Sequence, residues 1–172
     1  RGSRRATFYR VMQSGVVHFI WAECNSRGTT FLVRVFPSSP KIDPLFDRRF
    51  PDDLGIPTDI ESGLGTRGVG SRYDVFRCRT SDGLSRMFRT EVAPLLGQFA
   101  IPYLDQFRTV GDMIPVIKRP FFLGLALSSV GRTSEATPIL RSEMDRVSKI
   151  DPDSEETKIV LRKFNEALLS ST

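Results

Sequence analysis

The stretch GLGTRGVGSRYDVFRC, Gly63 to Cys78, sets glycines at 63, 65, 68 and 70 among arginines and contains the spacing G-x-G-x-x-G. In a dinucleotide site, glycines so spaced let a strand-to-helix turn approach a pyrophosphate, whose charge is held at the helix N-terminus. The context here differs. Polar IPTDIES precedes Gly63 and an alternating, strand-like run follows Gly70, so no helix falls where a cradle needs one. No Gly-Lys-Ser/Thr follows the spacing either, which removes a Walker-type loop. The expectation is a mobile, glycine-rich approach to a strand, since glycine permits backbone angles that other residues resist.

His18 is the sole histidine. It cannot join a multi-histidine metal site, and the two cysteines, Cys24 and Cys78, lie too far apart in sequence for a structural zinc motif. His18 is expected to be a strand residue whose ring packs at a sheet edge or satisfies a buried acceptor. Cys24 shares its face but sits six residues away, about 20 Å along an extended strand, so the two cannot meet. Cys78 could approach from a different strand, but no third group to orient such a pair is identifiable. No catalytic residue, metal site or cofactor is assigned.

Arginines recur where strands are predicted, at Arg10, Arg34, Arg72, Arg77 and Arg79, and Arg67 stands in the glycine stretch. Guanidinium groups sharing one open sheet face could form an anion-binding surface. The candidate ligand-binding residues are therefore Arg34, Arg67, Arg72 and Arg77, with His18 and Tyr73 beside them. Parity within a strand does not establish that they share a face. An acidic cluster, Asp43, Asp47, Asp52, Asp53, Asp59 and Glu61, departs from calcium-loop spacing and is interrupted by Arg48 and Arg49, so a solvated loop is expected. Arg4-Arg5-Ala6-Thr7 fits a basophilic phosphorylation pattern, and Arg1 to Ser3 read as a tag remnant.

The 172 residues carry a net charge of +5, with the excess in front: 18 Lys/Arg against 12 Asp/Glu through Arg119, and 7 against 8 thereafter. That balance fits an anionic ligand or a protein partner. Nucleic acid is possible but not favoured, because the charge is modest and not gathered in a stripe. The longest apolar run, FFLGLALSSV, is shorter than a bilayer span, and no signal sequence opens the chain. A cytoplasmic protein with no membrane partner is expected.

The elements that must position these residues follow from periodicity. TFYRVM (7–12), VVHFIWAEC (16–24) and TTFLVRVF (29–36) alternate with period two and are joined by short glycine-containing links, which predicts a three-strand antiparallel meander. In the second strand Val17, Phe19, Trp21 and Glu23 share one face and Val16, His18, Ile20, Ala22 and Cys24 the other, as in a central strand covered on two sides. A long loop is predicted over 37–71 and a fourth strand over 72–79. Beyond Ser81 the period is helical: Phe88, Val92, Leu95, Leu96 and Phe99 form a stripe that Pro94 should bend or divide. Pro102 is expected in a first helical turn, Thr109 and Asp112 at a helix start, and Gly131 at a helix stop. Thr137 and Pro138 are expected to open the next helix, and Glu155 and Glu156 stand in the first turn of the last.

The order TFYRV, VVHFIWAECNSRGTTFLVRVF, a Gly/Arg approach to YDVF, and a helix ending near YLDQF resembles domain-of-unknown-function family 4304, small and mostly bacterial α+β proteins, over about Thr7 to Val116. The resemblance implies the fold; it brings no activity and no catalytic residues. It also implies a helix before the first strand, which this sequence lacks, and a tryptophan near the fourth, where Arg72-Tyr73 stand.

The expectation is a single α+β domain over 1–172, with a sheet part at 7–79, packing helices at 82–119 and C-terminal helices at 120–172. Runs of strands followed by runs of helices make this class. Its function is read as a non-catalytic binding module with a basic groove between the sheet and the 37–71 loop. The alternatives are an enzyme on a phosphorylated or nucleic-acid substrate, using the glycine stretch and its arginines, and a structural subunit whose C-terminal helices contact a partner.

Overall fold

In a computed structural model of the chain, residues 4–24, 30–46, 62–70, 75–77 and 80–170 are described. The alternating runs form strands where their pattern predicts. β1 (Arg4–Val11) and β2 (Val17–Cys24) pair antiparallel, with Thr7 opposite Trp21 and Arg10 opposite His18. Gly15 turns the chain between them at φ +84°, a backbone region costly for residues with a Cβ. β3 (Thr30–Ser38) follows, and β2 lies between β1 and β3, as its two apolar faces require. The class is α+β, with an antiparallel sheet of more strands than the four expected.

The added strands come from the glycine stretch, which corrects the long-loop expectation. Ser62–Gly65 (β4) and Gly68–Gly70 (β5) form a hairpin with Gly63 opposite Gly70, Leu64 opposite Val69 and Gly65 opposite Gly68. Thr66 and Arg67 make the two-residue turn, and Gly68 takes φ +121°. β4 runs antiparallel to β3, Arg34 facing Gly63. The predicted fourth strand contributes Phe76–Arg77 (β6), paired with β3 at Phe31 and Thr30. The sheet order is β1-β2-β3-β4-β5, with β6 also on β3.

The chain divides into two compact units. The first comprises residues 1–12, 17–37 and 61–108, hence the sheet and the helical run behind it. That run, α1, joins α-helical segments Ser81–Met87, Ala93–Leu95 and Ile101–Leu104 through π-helical turns at Phe88–Val92 and Leu96–Ala100. Thr80 caps it by accepting from the Gly83 amide. Pro94 neither divides nor ends the helix, and Pro102 lies inside it, not at a new start. Each proline follows a π turn, where the widened i→i+5 spacing accommodates the missing donor and ring. The apolar stripe of α1 packs on Val33, Val35, Leu64 and Phe76 of the sheet, with Val92, Ala100 and Leu104 from the helix. Each such large side chain contributes about 1.5–3 kcal/mol relative to exposure.

The second unit comprises residues 13–16, 38–60 and 109–172. Thr109 and Asp112 open α2 (Val110–Met113) with a reciprocal capping box, as their spacing predicts, and Ile114–Val116 continues it as a 3₁₀ turn. α3 (Pro120–Ser129) buries Phe122, Leu125, Ala126 and Leu127. It stops at Gly131, φ +79°, where the Arg132 amide donates to Leu127 O and the Gly131 amide to Ser128 O. α4 (Thr133–Val147) starts four residues before the expected Thr137 cap, so Pro138 is interior; the Thr137 hydroxyl donates back to Thr133 O. Gly124 lets α4 approach α3, because a Cβ there would stand 2.9 Å from the Leu140 side chain. Ser154 caps α5 (Glu155–Leu169), whose Val160 and Phe164 are buried, Phe164 against the Phe121 ring.

Candidate binding face and a buried histidine

Register across the sheet decides which side chains share a face, because paired residues in an antiparallel ladder point the same way and neighbours along a strand point oppositely. Val33, Val35 and Phe76 are in the core under α1. Residues of the other parity in β3, namely Leu32 and Arg34, therefore face away from α1. Arg77, opposite Thr30, joins them, as does Trp21, whose ring lies 5.1 Å from the Arg34 guanidinium carbon. His18 and its partner Arg10 belong to the face that looks toward α1. The arginines predicted on strands are thus split between two faces.

On the face turned from α1, Trp21 and Arg34 are half-buried and Arg77 is exposed. Stacking on the indole fixes the guanidinium in place and retains its charge. Gly63, paired with Arg34, and Gly70, paired with Gly63, extend that row without side chains, Gly63 buried and Gly70 half-buried. A Cβ at Gly70 would meet nothing within 4 Å. Because β4 runs antiparallel to β3, the Thr66-Arg67 turn is carried toward the end of β3 at which Arg77 pairs. Arg67 is exposed there. Arg34 and the Arg77 register position are four residues apart along β3, about 13 Å. The face thus carries a half-buried guanidinium against the Trp21 ring and exposed arginines at Arg77 and Arg67. Arg72 and Tyr73, two more of the predicted ligand residues, lie outside the described residues, as do Cys78 and Arg79.

On the opposite face His18 is 2 % exposed. Its Nε2 donates to the Phe107 carbonyl at 2.7 Å, and its Nδ1 stands 2.9 Å from Arg10 Nη2. A carbonyl can only accept and a guanidinium can only donate, so the ring is neutral, protonated at Nε2 and accepting at Nδ1. Arg10 also bonds and ion-pairs Asp105. Burial holds the imidazole below its ordinary value of 6.5; the Phe107 carbonyl opposes this, Arg10 adds to it and Asp105 opposes it. Both ring nitrogens are engaged. The geometry ties β1 and β2 to the chain just beyond α1 and leaves no nitrogen to take a substrate proton, so His18 parts from the arginine set and serves as a latch.

Beside this latch a cavity of about 200 Å³ opens between β1 and α1, lined mainly by Phe8, Ile20, Ile101 and Leu104 with Arg10 and His18 at its polar end. Sequence reading missed it, because its walls come from segments some 90 residues apart.

The acidic cluster is not a solvated group throughout. Asp43 is buried, its Oδ1 accepting from the Leu45 amide, while Asp47, Asp52, Asp53, Asp59 and Glu61 lie outside the described residues. Among the described residues no group of three or more His, Cys, Asp or Glu could hold a metal ion, and no helix is long and apolar enough to cross a membrane. No family model matches the chain, and neither a curated protein nor a solved structure matches it significantly.

Proposed function

We propose that this protein is a non-catalytic binding module that takes an extended anion on the sheet face bearing Trp21, Arg34 and Arg77. The observation that carries this is the Arg34 guanidinium stacked on Trp21 in a sheet row continued by glycines. A stacked guanidinium is a preorganised charge that loses little side-chain freedom on binding. Of the two glycines Gly63 is buried, so close approach of a ligand is supported at half-buried Gly70, where a Cβ would meet nothing within 4 Å. The separation of Arg34 from Arg77 favours a chain of charges over a compact phosphate. Two observations support this reading over a nucleotide cradle or a histidine base: the glycine spacing lies in a hairpin at which no helix begins among the described residues, and both His18 ring nitrogens are engaged. Kinship with domain-of-unknown-function family 4304, and a cytoplasmic location, belong to the same proposal and add no activity to it.

Trp21 is the only tryptophan, so its emission reports this face alone. Titration with inorganic polyphosphate at low salt should change that emission saturably, with an affinity that falls as salt rises. Arg34→Gln should weaken it about tenfold. An unchanged emission across the titration would remove the proposal.

A further inference from the structure

We propose that the second unit holds a site for a small primary amine carrying an aromatic ring, in a cavity of about 300 Å³ between residues 43–45 and helices α3, α4 and α5. Its floor is buried and apolar at Leu45, Phe122, Val147 and Val160, and its rim is exposed at Arg119, Ile150 and Glu156. A space of that size, apolar below with a few polar groups, suits a small ligand. The Phe121 and Phe122 rings, edge to face at 4.8 Å, give it an aromatic wall.

Thr157 points to an occupant. It is 8 % exposed and lines the cavity, and among the described residues its hydroxyl makes no hydrogen bond. Other helical threonines differ: the hydroxyls of Thr90 and Thr137 donate to the carbonyls of Arg86 and Thr133, four residues back. Thr157 is the third residue of α5, so the residue four before it lies outside the helix. Its amide donates to the Ser154 hydroxyl, and its own hydroxyl is left to the cavity. A buried hydroxyl without a partner is costly, and a ligand atom that bonds it removes the cost.

Charge selects the ligand. Glu156, next to Thr157, lines the same cavity and has no ion pair among the described residues, whereas Glu155 pairs with Lys158. Arg146 donates to both carboxylate oxygens of Glu143, which matches its charge. Two lining carboxylates, Asp43 and Glu156, then stand against the guanidinium of Arg119. The start of α5 does not call for an anion, because Ser154 caps it and Glu155 and Glu156 already meet its positive end. An ammonium fits these conditions: it donates to the Glu156 carboxylate and the Thr157 oxygen while its ring packs on Phe121 and Phe122. A carboxylate in its place would face Asp43 and Glu156. The site shares no residue with the Trp21 and Arg34 face and takes the opposite charge, so it does not depend on what binds there.

The test adds 2-phenylethylamine at neutral pH to the full chain and follows backbone amide shifts by NMR, with phenylacetate as an anion of similar size. The amine should give saturable shifts at Leu45, Phe122 and Thr157, weakened by salt, and bind at least about tenfold more tightly than phenylacetate. Glu156→Gln should weaken it about tenfold, and Thr157→Val, which keeps the side chain's shape, about fivefold. Glu155→Gln removes the same charge one residue away and outside the cavity lining, and should change the affinity less than about twofold. Glu156 is exposed, so Glu156→Gln leaves the fold intact and decides the matter even if Thr157→Val unfolds the chain. Equal binding of phenylacetate, an effect of Glu155→Gln as large as that of Glu156→Gln, insensitivity to Glu156→Gln, or no saturable shift with the amine would each overturn the proposal.

Discussion

The two faces of the sheet in the first unit use the same residue types for different ends. Toward α1, an arginine and a histidine are locked into one another: Arg10 bonds both His18 and Asp105, and His18 bonds the Phe107 carbonyl. Away from α1, Arg34 rests on Trp21 and Arg77 is exposed. Residue identity alone does not separate the arginine that bonds His18 from those on the other face. What separates them is the register that puts Arg10 opposite His18 and Arg34 opposite Gly63. Arg10 is exposed but spends its donors on His18 and Asp105, whereas Arg34 is half-buried against the Trp21 ring with its Nε buried.

The sharpest way to break this comparison is truncation on each face. Leu64 is fully buried under α1, and Leu64→Ala should cost about 2–5 kcal/mol in chemical denaturation. Leu32→Ala, half-buried on the other face, should cost less than half of that. Similar costs would mean that both faces are core.

His18→Ala should come next, at about 1–3 kcal/mol, because it leaves the buried Phe107 carbonyl without its donor. Arg34→Gln should change the denaturation midpoint far less while weakening anion binding about tenfold. A result in which the two substitutions exchange roles, with His18 governing binding and Arg34 governing stability, would invert the assignment of the faces.

A smaller effect is expected from pH. The His18 imidazole titrates lower in the folded chain than its ordinary 6.5, so the folded state binds fewer protons than the unfolded state just below that value. The contribution is fully present above about pH 6.5 and is lost as pH falls toward the depressed folded value. Protonation makes Nδ1 a donor and ends its acceptance from Arg10. Since this is the only histidine, its ring proton resonance can be followed by NMR without ambiguity, and its midpoint should lie below 6.5. A midpoint above 6.5 would show a charged ring and contradict the latch. The least effect belongs to Arg67→Ala, at an exposed turn, which should leave the melting temperature unchanged and reduce the salt sensitivity of polyphosphate binding slightly.

Much of the architecture was legible because it rests on local patterns. The first three strands announce themselves by two-residue alternation, and the Thr109–Asp112 box and Gly131 stop are short-range motifs whose partners lie within a few residues. The hairpin at Ser62–Gly70 was hidden for a physical reason. Each of its strands carries one apolar residue, Leu64 or Val69, between glycines, so alternation has too little amplitude to register. The prolines misled in a related way: Pro94, Pro102 and Pro138 are breakers by local rule, yet π turns and packing carry the helices through them. The site was half legible. That His18 satisfies a buried acceptor follows from its place on a central strand, but the acceptor is 89 residues away and no local pattern points to it. The partition of the arginines required pairings between strands, which a single strand's parity does not contain.

The central claim is that the face of Trp21 and Arg34 receives the anion while the face of His18 does not. Mapping backbone amide shifts as polyphosphate is added tests this most directly. The account predicts saturable shifts at Trp21, Leu32, Arg34, Gly70 and Arg77, with Arg10, His18 and Phe107 unmoved. Shifts gathered at His18 and Phe107, with Trp21 and Arg34 silent, would contradict it.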